Sequence, residues 1–137
     1  MKRILFFLIF SFPTLILAQF TENFLDGNLT ENPQWVGIID KFTIINGSLQ
    51  LNDSSASGTA NKAYLATASE AIENAEWQLS ATVRTNLTSG NYIRFYMCSN
   101  NANFTENLQG YFVMVGGTAK EFALYRQDGT TNTNIID

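Results

Sequence analysis

Polar and apolar residues alternate along much of this chain with a period of two, the pattern of β-strands that have one buried and one solvated side. The alternation is clearest over residues 77–84 and recurs over 92–97 and 122–127, whereas 111–115 is apolar at every position, as expected of a central strand. Shorter predicted strands cover the segments 20–25, 42–45, 49–51, 63–66 and 133–136. The pattern therefore predicts an all-β chain of many short strands.

Two dipeptides between these strands are strong hairpin signals. Asn46-Gly47 separates 42–45 from 49–51, and Asp128-Gly129 precedes 133–136. Both residue types tolerate the positive φ that a type I′ turn requires. Residues 69–75 are the only predicted helical turn, with Ser69 as its cap. Many short strands joined by tight turns indicate a sandwich or a barrel, and an antiparallel β-sandwich is the fold class we expect.

The N-terminus has the pattern of a secretion signal. Lys2 and Arg3 precede the apolar run 4–17, and Ala18 is the small residue before the expected cleavage at Gln19. A transmembrane anchor would need roughly 20 uninterrupted apolar residues, more than this run provides. We therefore expect residues 1–18 to be a signal peptide and residues 19–137 to be a secreted or cell-surface β-sandwich domain, with no membrane insertion after cleavage.

The end of the chain also carries an expectation. Asp137 follows directly on the predicted second strand of a hairpin, with no closing turn after it. A sandwich usually continues past its last strand, so we expect the domain to be incomplete at its C-terminus and to be the N-terminal part of a larger protein. Such a break would leave an open sheet edge.

Composition excludes several classes of function. The 137 residues include no histidine and one cysteine, Cys98, so the chain lacks an internal disulfide and most nucleophile–base pairs. Signal cleavage removes Lys2 and Arg3 and leaves six of the eight basic residues against twelve acidic ones, which argues against nucleic acid as a partner. Cys98 is expected to be a buried small hydrophobe, the alternative being a thiol that pairs between chains.

Three stretches of the mature chain are similar to a known family. They are Glu22-Asn23-Phe24-Leu25-Asp26-Gly27 running to Pro33-Gln34-Trp35, then Asn91-Tyr92-Ile93-Arg94-Phe95-Tyr96, and Gly110-Tyr111-Phe112-Val113 through Leu124-Tyr125-Arg126-Gln127-Asp128-Gly129. Together they resemble the N-terminal, concanavalin A-like (laminin G-like) jelly-roll domain of secreted Bacteroidota surface proteins. The resemblance implies a jelly-roll sandwich that precedes further β domains, such as lamin-tail-like domains and a C-terminal sorting domain.

Four polar-tipped residues are candidates for carbohydrate binding: Arg84, Arg94, Tyr96 and Tyr125. An aromatic ring stacks on the apolar face of a sugar, and a guanidinium offers a fork of donors to its hydroxyls. By the alternation, Arg94 and Tyr96 share one face of a strand. The alternative is that these side chains are ordinary cross-strand pairs.

A calcium site is a further candidate, at Asp26 and Asn28. Their oxygens are of the hard type that Ca²⁺ selects, and the resemblance implies a structural calcium ion near the first strand. The alternative is that both residues simply form the turn around Gly27. No other cofactor is expected.

These observations predict a non-catalytic secreted or cell-surface module for adhesion or glycan binding, with a glycan or another surface protein as partner. Catalysis is not expected, because the acids Glu70, Glu73 and Glu76 are spaced by three instead of alternating along a strand, as the carboxylates of jelly-roll glycosidases do. Two alternatives remain: an accessory module of a polysaccharide hydrolase whose catalytic domain lies downstream, and a structural spacer with no ligand.

Overall fold

The computed structural model of the chain describes residues 21–53, 62–118 and 121–137. The predicted signal peptide, residues 1–18, lies outside this range, as does Phe20 of the predicted strand 20–25. The strands are β1 Trp35–Gly37, β2 Phe42–Ile45, β3 Ser48–Leu51, β4 Leu65–Thr67, β5 Tyr92–Ser99, β6 Leu108–Gly116, β7 Glu121–Gly129 and β8 Thr131–Ile136. One turn of 3₁₀ helix covers Ile39–Lys41.

Every strand pair in the described residues is antiparallel, and the predicted all-β sandwich class is confirmed. β1 pairs with β4, β2 pairs with β3, and the four long strands form one sheet in the order β5-β6-β7-β8. The jelly-roll connectivity implied by the family resemblance stays a prediction.

The β2–β3 hairpin forms where the Asn-Gly dipeptide predicts it. Asn46 and Gly47 have φ values of 51° and 69°, as a type I′ turn requires. The open end of the hairpin is closed by a 2.8 Å ion pair between Lys41 and Asp53, beside a 2.8 Å bond from the Asn52 N–H to the Lys41 carbonyl. This hairpin is therefore held at both ends by features close in sequence.

The β7–β8 turn lies one residue later than predicted. Asp128 is paired with Thr131, so the two turn residues are Gly129 and Thr130 instead of Asp128 and Gly129. Gly129 has a φ of 61° and occupies the first turn position, where type II′ turns place glycine.

Three segments predicted to be regular are not so in this structure. Residues 77–84 form no strand, nor do the described residues of 20–25, and 69–75 form no helix. Ser69 Oγ does accept the Ala71 N–H at 3.2 Å, but one such bond does not offset the cost of nucleating a helix. A strand likewise needs a partner for its backbone groups, which alternation alone does not supply.

The large sheet has two unlike sides. The inner face carries Leu108, Phe112 and Ala123, each at most 2% exposed. The outer face carries the intervening residues, among them Tyr111 and Phe122, which are 42% and 72% exposed. The inner face is therefore the core side of the sheet.

Aromatic contacts connect the β1–β4 sheet to this core. The Tyr64 ring, next to β4, meets Phe104 of the β5–β6 loop edge-on at 5.5 Å, and its hydroxyl donates to Asn103 Oδ1 at 3.0 Å. Phe104 in turn contacts the Tyr96 ring of β5 at 4.4 Å. The β5–β6 loop thus covers the inner face.

Candidate functional site

The structure brings together three of the four residues predicted to bind carbohydrate. Strand pairing sets Tyr96 opposite Phe112 and Phe112 opposite Tyr125. Arg94 lies two residues before Tyr96 in β5, so both side chains are on the same side of the sheet. That side is the inner face. Tyr96, Arg94 and Tyr125 are half-buried there.

These three residues surround Phe112. The Phe112 ring stacks on Tyr125, with centroids 5.3 Å apart and planes 6° apart, and contacts Tyr96 at 4.9 Å. The guanidinium of Arg94 lies 4.7 Å from the centre of the Phe112 ring and 5.2 Å from that of Tyr92. Such contacts stabilise the fold.

Hydrogen bonds occupy the polar tips of this cluster. The Tyr96 hydroxyl donates to Gln127 Oε1, Arg94 Nη1 reaches the Tyr96 oxygen at 3.5 Å, and Gln127 Nε2 donates to the Gly129 carbonyl at 2.7 Å. The Nε of Arg94 is buried and has no hydrogen-bond partner in the described part of the chain. These contacts are of the kind found in cross-strand pairs, and sugar binding by Arg94, Tyr96 and Tyr125 stays a prediction.

Arg84 is not brought to this cluster. It is exposed and lies in the segment 77–88, which belongs to no strand in the structure. The four candidate residues therefore form no single exposed site.

Asp26 and Asn28 form a turn whose polar atoms are bonded within it. Asn28 donates to Asp26 from its backbone N–H at 3.2 Å and from Nδ2 at 2.8 Å, and its own Oδ1 accepts the N–H groups of Thr30 and Glu31. Gly27 between them has a φ of 73°. Residues 21–53, 62–118 and 121–137 contain no group of three or more metal-ligating side chains placed to hold an ion. The calcium site stays a prediction.

A different set of polar and aromatic side chains is exposed together on the outer face, where β6 begins and β7 ends. Strand pairing sets Tyr111 opposite Arg126 and Gln109 opposite Asp128. Gln109 Nε2 donates to Asp128 Oδ1 at 3.1 Å, which holds the amide and the carboxylate side by side. We call these four residues the outer-face cluster.

Two shallow depressions meet at this cluster. One, of about 260 Å³, is lined by Gln109, Gly110, Tyr111, Arg126, Gln127 and Asp128. The other, of about 300 Å³, is lined by Asn100, Asn107, Leu108, Gln109, Asp128 and Gly129. Gln109 and Asp128 line both, so the two depressions are adjacent, with an aromatic ring in one and two asparagine amides in the other.

The backbone around Gly110 positions this surface. A β-bulge after Tyr96 sets Cys98, instead of Met97, opposite Tyr111. Gly110 allows the close approach of the two strands, because a Cβ there would lie 2.5 Å from the Cys98 carbonyl oxygen. Asn100 Oδ1 accepts the Gln109 N–H at 2.7 Å and ties the β5–β6 loop to the site.

Cys98 itself is half-buried and forms no disulfide. Because Cys98 lies opposite Tyr111, its side chain is on the outer face of the sheet, beside the cluster, and not on the inner face.

The sequence contained part of the signal for this site. Gln109 and Tyr111 alternate with Gly110 and Phe112, which places the first two on one side of β6. Which residues of β7 lie opposite Gln109 and Tyr111 depends on the β6–β7 register, and a single sequence does not specify that register.

Comparisons of this chain with protein-family models, curated proteins and solved structures find no match. Within the described residues, no helix has the length and apolar character needed to cross a membrane.

Proposed function

We propose that this chain is a non-catalytic, exported carbohydrate-binding module and that the outer-face cluster is its binding surface. The observation that carries the proposal is the juxtaposition of the exposed Tyr111 ring with Arg126, Gln109 and Asp128 beside two adjacent depressions. Export rests on the secretion signal at residues 1–18.

The chemistry of the cluster suits a sugar. A ring that is 42% exposed offers an apolar face to the C–H groups of a pyranose. The carboxylate of Asp128 accepts hydrogen bonds from hydroxyls, while Arg126 and the side-chain amide of Gln109 donate them. Because the depressions are shallow, the surface suits an extended chain or a terminal sugar that lies across it.

The inner-face residues have a supporting part in this proposal. Tyr96, Arg94 and Tyr125 hold Phe112, whose neighbour along β6 is Tyr111. Fixing Phe112 in the core therefore keeps the next side chain on the outer face, since successive residues of a strand point to opposite sides.

The test is a glycan array and a titration with the best ligand, using the mature protein and three variants. Tyr111→Ala is expected to weaken binding about 5- to 30-fold, because it removes an aromatic contact that contributes about 1 to 2 kcal/mol to the binding free energy. Tyr111→Phe is expected to retain most of the affinity, because the ring face remains.

Phe122→Ala is the matched control, because Phe122 is an aromatic residue of the same face and is 72% exposed at the other end of β7. Its binding is expected to equal that of the natural protein. An array without any bound glycan, or an equal loss in Tyr111→Ala and Phe122→Ala, would contradict the proposal and favour a spacer. Incubation with the bound polysaccharide is expected to release no new reducing ends.

A further inference from the structure

A tight turn joins residues 77–88 to β5. The Thr88 N–H donates to the Asn91 carbonyl at 2.9 Å, and the Asn91 N–H donates back to the Thr88 carbonyl at 3.2 Å. Two bonds exchanged across Ser89 and Gly90 pair Thr88 with Asn91, as at the closed end of an antiparallel ladder. Thr88 Oγ1 also accepts the N–H groups of Gly90 and Asn91, at 3.2 and 3.1 Å.

The strand that follows this turn has an unpaired edge. β5 pairs with β6 alone among the strands of the described residues. Backbone N–H groups alternate in direction along a strand, so those of Ile93 and Phe95 point to the same side as that of Asn91, toward the free edge. This edge presents donors and acceptors to any segment that can add to it.

The segment before the turn has the pattern of such a strand. Trp77, Leu79, Ala81 and Val83 alternate with polar residues. Trp77 and Leu79 are 40% and 54% exposed, so their apolar side chains are poorly covered in the present arrangement.

We propose that residues 77–87 close onto the free edge of β5 as an antiparallel fifth strand, in the register set by the Thr88–Asn91 pair. That register puts Asn86 opposite Ile93 and Arg84 opposite Phe95. Odd-numbered residues then face the inner side of the sheet, where Leu87 already lies: a Cβ on Gly116 would be 3.2 Å from Leu87 Cβ. Closure moves Leu87 from above Gly116 to a place beside Tyr92.

Closure has two consequences. It covers an edge that would otherwise pair with other chains, and it buries the apolar side of residues 77–83. It also turns Arg84 to the outer face, about 12 Å from Tyr111. This distance combines two interstrand spacings, from residues 77–87 across β5 to β6, with a shift of two residues along β6. The pairing itself does not rest on the proposed function.

The first test uses hydrogen exchange on the unmodified mature protein. The amides of Ile93 and Phe95 are expected to exchange at least about 100-fold more slowly than unprotected amides, as those of Arg94 and Tyr96 do through β6. Fast exchange at Ile93 and Phe95 beside slow exchange at Arg94 and Tyr96 would overturn the proposal.

The second test is a disulfide between Arg84→Cys and Phe95→Cys in a Cys98→Ser background. A hydrogen-bonded antiparallel pair has a Cα separation of about 5.5 Å, within the range that a disulfide spans. Oxidation is expected to give a cross-linked monomer, and the matched control Thr85→Cys with Phe95→Cys, whose side chains fall on opposite faces, is expected to stay reduced.

Two outcomes of the cross-linking would overturn the proposal. A disulfide found only in dimers would show that the β5 edge takes the strand of a second copy. Equal cross-linking in the Arg84 and Thr85 variants would show that residues 77–87 hold no fixed register on β5.

Discussion

Phe112→Ala is expected to remove a large part of the stability of this domain, whereas the neighbouring Tyr111→Ala is not. Phe112 is fully buried on the inner face, between the Tyr125 ring, the Tyr96 ring and the guanidinium of Arg94. Alanine at this position leaves a cavity among these three side chains and removes the ring that each of them contacts.

The size of the effect follows from burial. Truncating a buried Phe to Ala costs about 3 to 5 kcal/mol, which includes the lost ring contacts. The total stability of a small domain is about 5 to 15 kcal/mol, so this one change removes about a fifth of it or more. Tyr111 is 42% exposed, and its truncation is expected to cost no more than about 1 kcal/mol.

Urea unfolding followed by tryptophan fluorescence measures both variants. With an m-value of about 2 kcal/mol/M, Phe112→Ala is expected to lower the unfolding midpoint by about 2 M and Tyr111→Ala by at most about 0.5 M. Phe112→Leu, which keeps most of the buried volume, is expected to fall between them.

The comparison between the two adjacent residues is what tests the reasoning. Equal losses in Phe112→Ala and Tyr111→Ala would mean that both faces of the sheet are packed to the same degree, and the distinction between an inner and an outer face would be wrong. A Phe112→Ala variant as stable as the natural chain would refute the assignment of the core itself.

Two further predictions concern the hairpins. Asp53→Asn is expected to lower the free energy of unfolding by about 0.5 to 1 kcal/mol, and less at high salt, because it removes the partly buried ion pair with Lys41; an unchanged value at low salt would show that the pair adds nothing. Gly47→Ala and Gly129→Ala are each expected to lower the free energy of unfolding by about 1 to 2 kcal/mol, because both glycines have positive φ, 69° and 61°, which an L side chain disfavours; calorimetry that finds either variant as stable as the natural protein would contradict this.

Local pattern was sufficient to predict the strands that make up the large sheet. The alternation over 92–97 and 122–127 corresponds to β5 and β7, because a pleated strand imposes a period of two on a sequence with one covered side. The apolar run 111–115 lies within β6, which is paired along both edges, as expected of a central strand. The Asn46-Gly47 turn was equally predictable, since positive φ is a property of the residues themselves.

Other local predictions failed or were displaced where a partner decides the outcome. Residues 77–84 alternate as regularly as β5 but form no strand in this structure, and β1 forms over three residues that carry no such pattern because β4 pairs with it. The turn after β7 moved to Gly129-Thr130 because pairing continues through Asp128 and Thr131.

The identity of the candidate site depended on tertiary structure most of all. The sequence by itself determined that Tyr111 and Phe112 point to opposite sides, and that Arg94 and Tyr96 share one. Only the folded chain decided which side is covered, because Phe104 of the β5–β6 loop packs on Tyr96 and makes that face the core. Burial depends on residues far away in sequence, and strand register on the bulge after Tyr96, so neither is encoded in the alternation of any single strand.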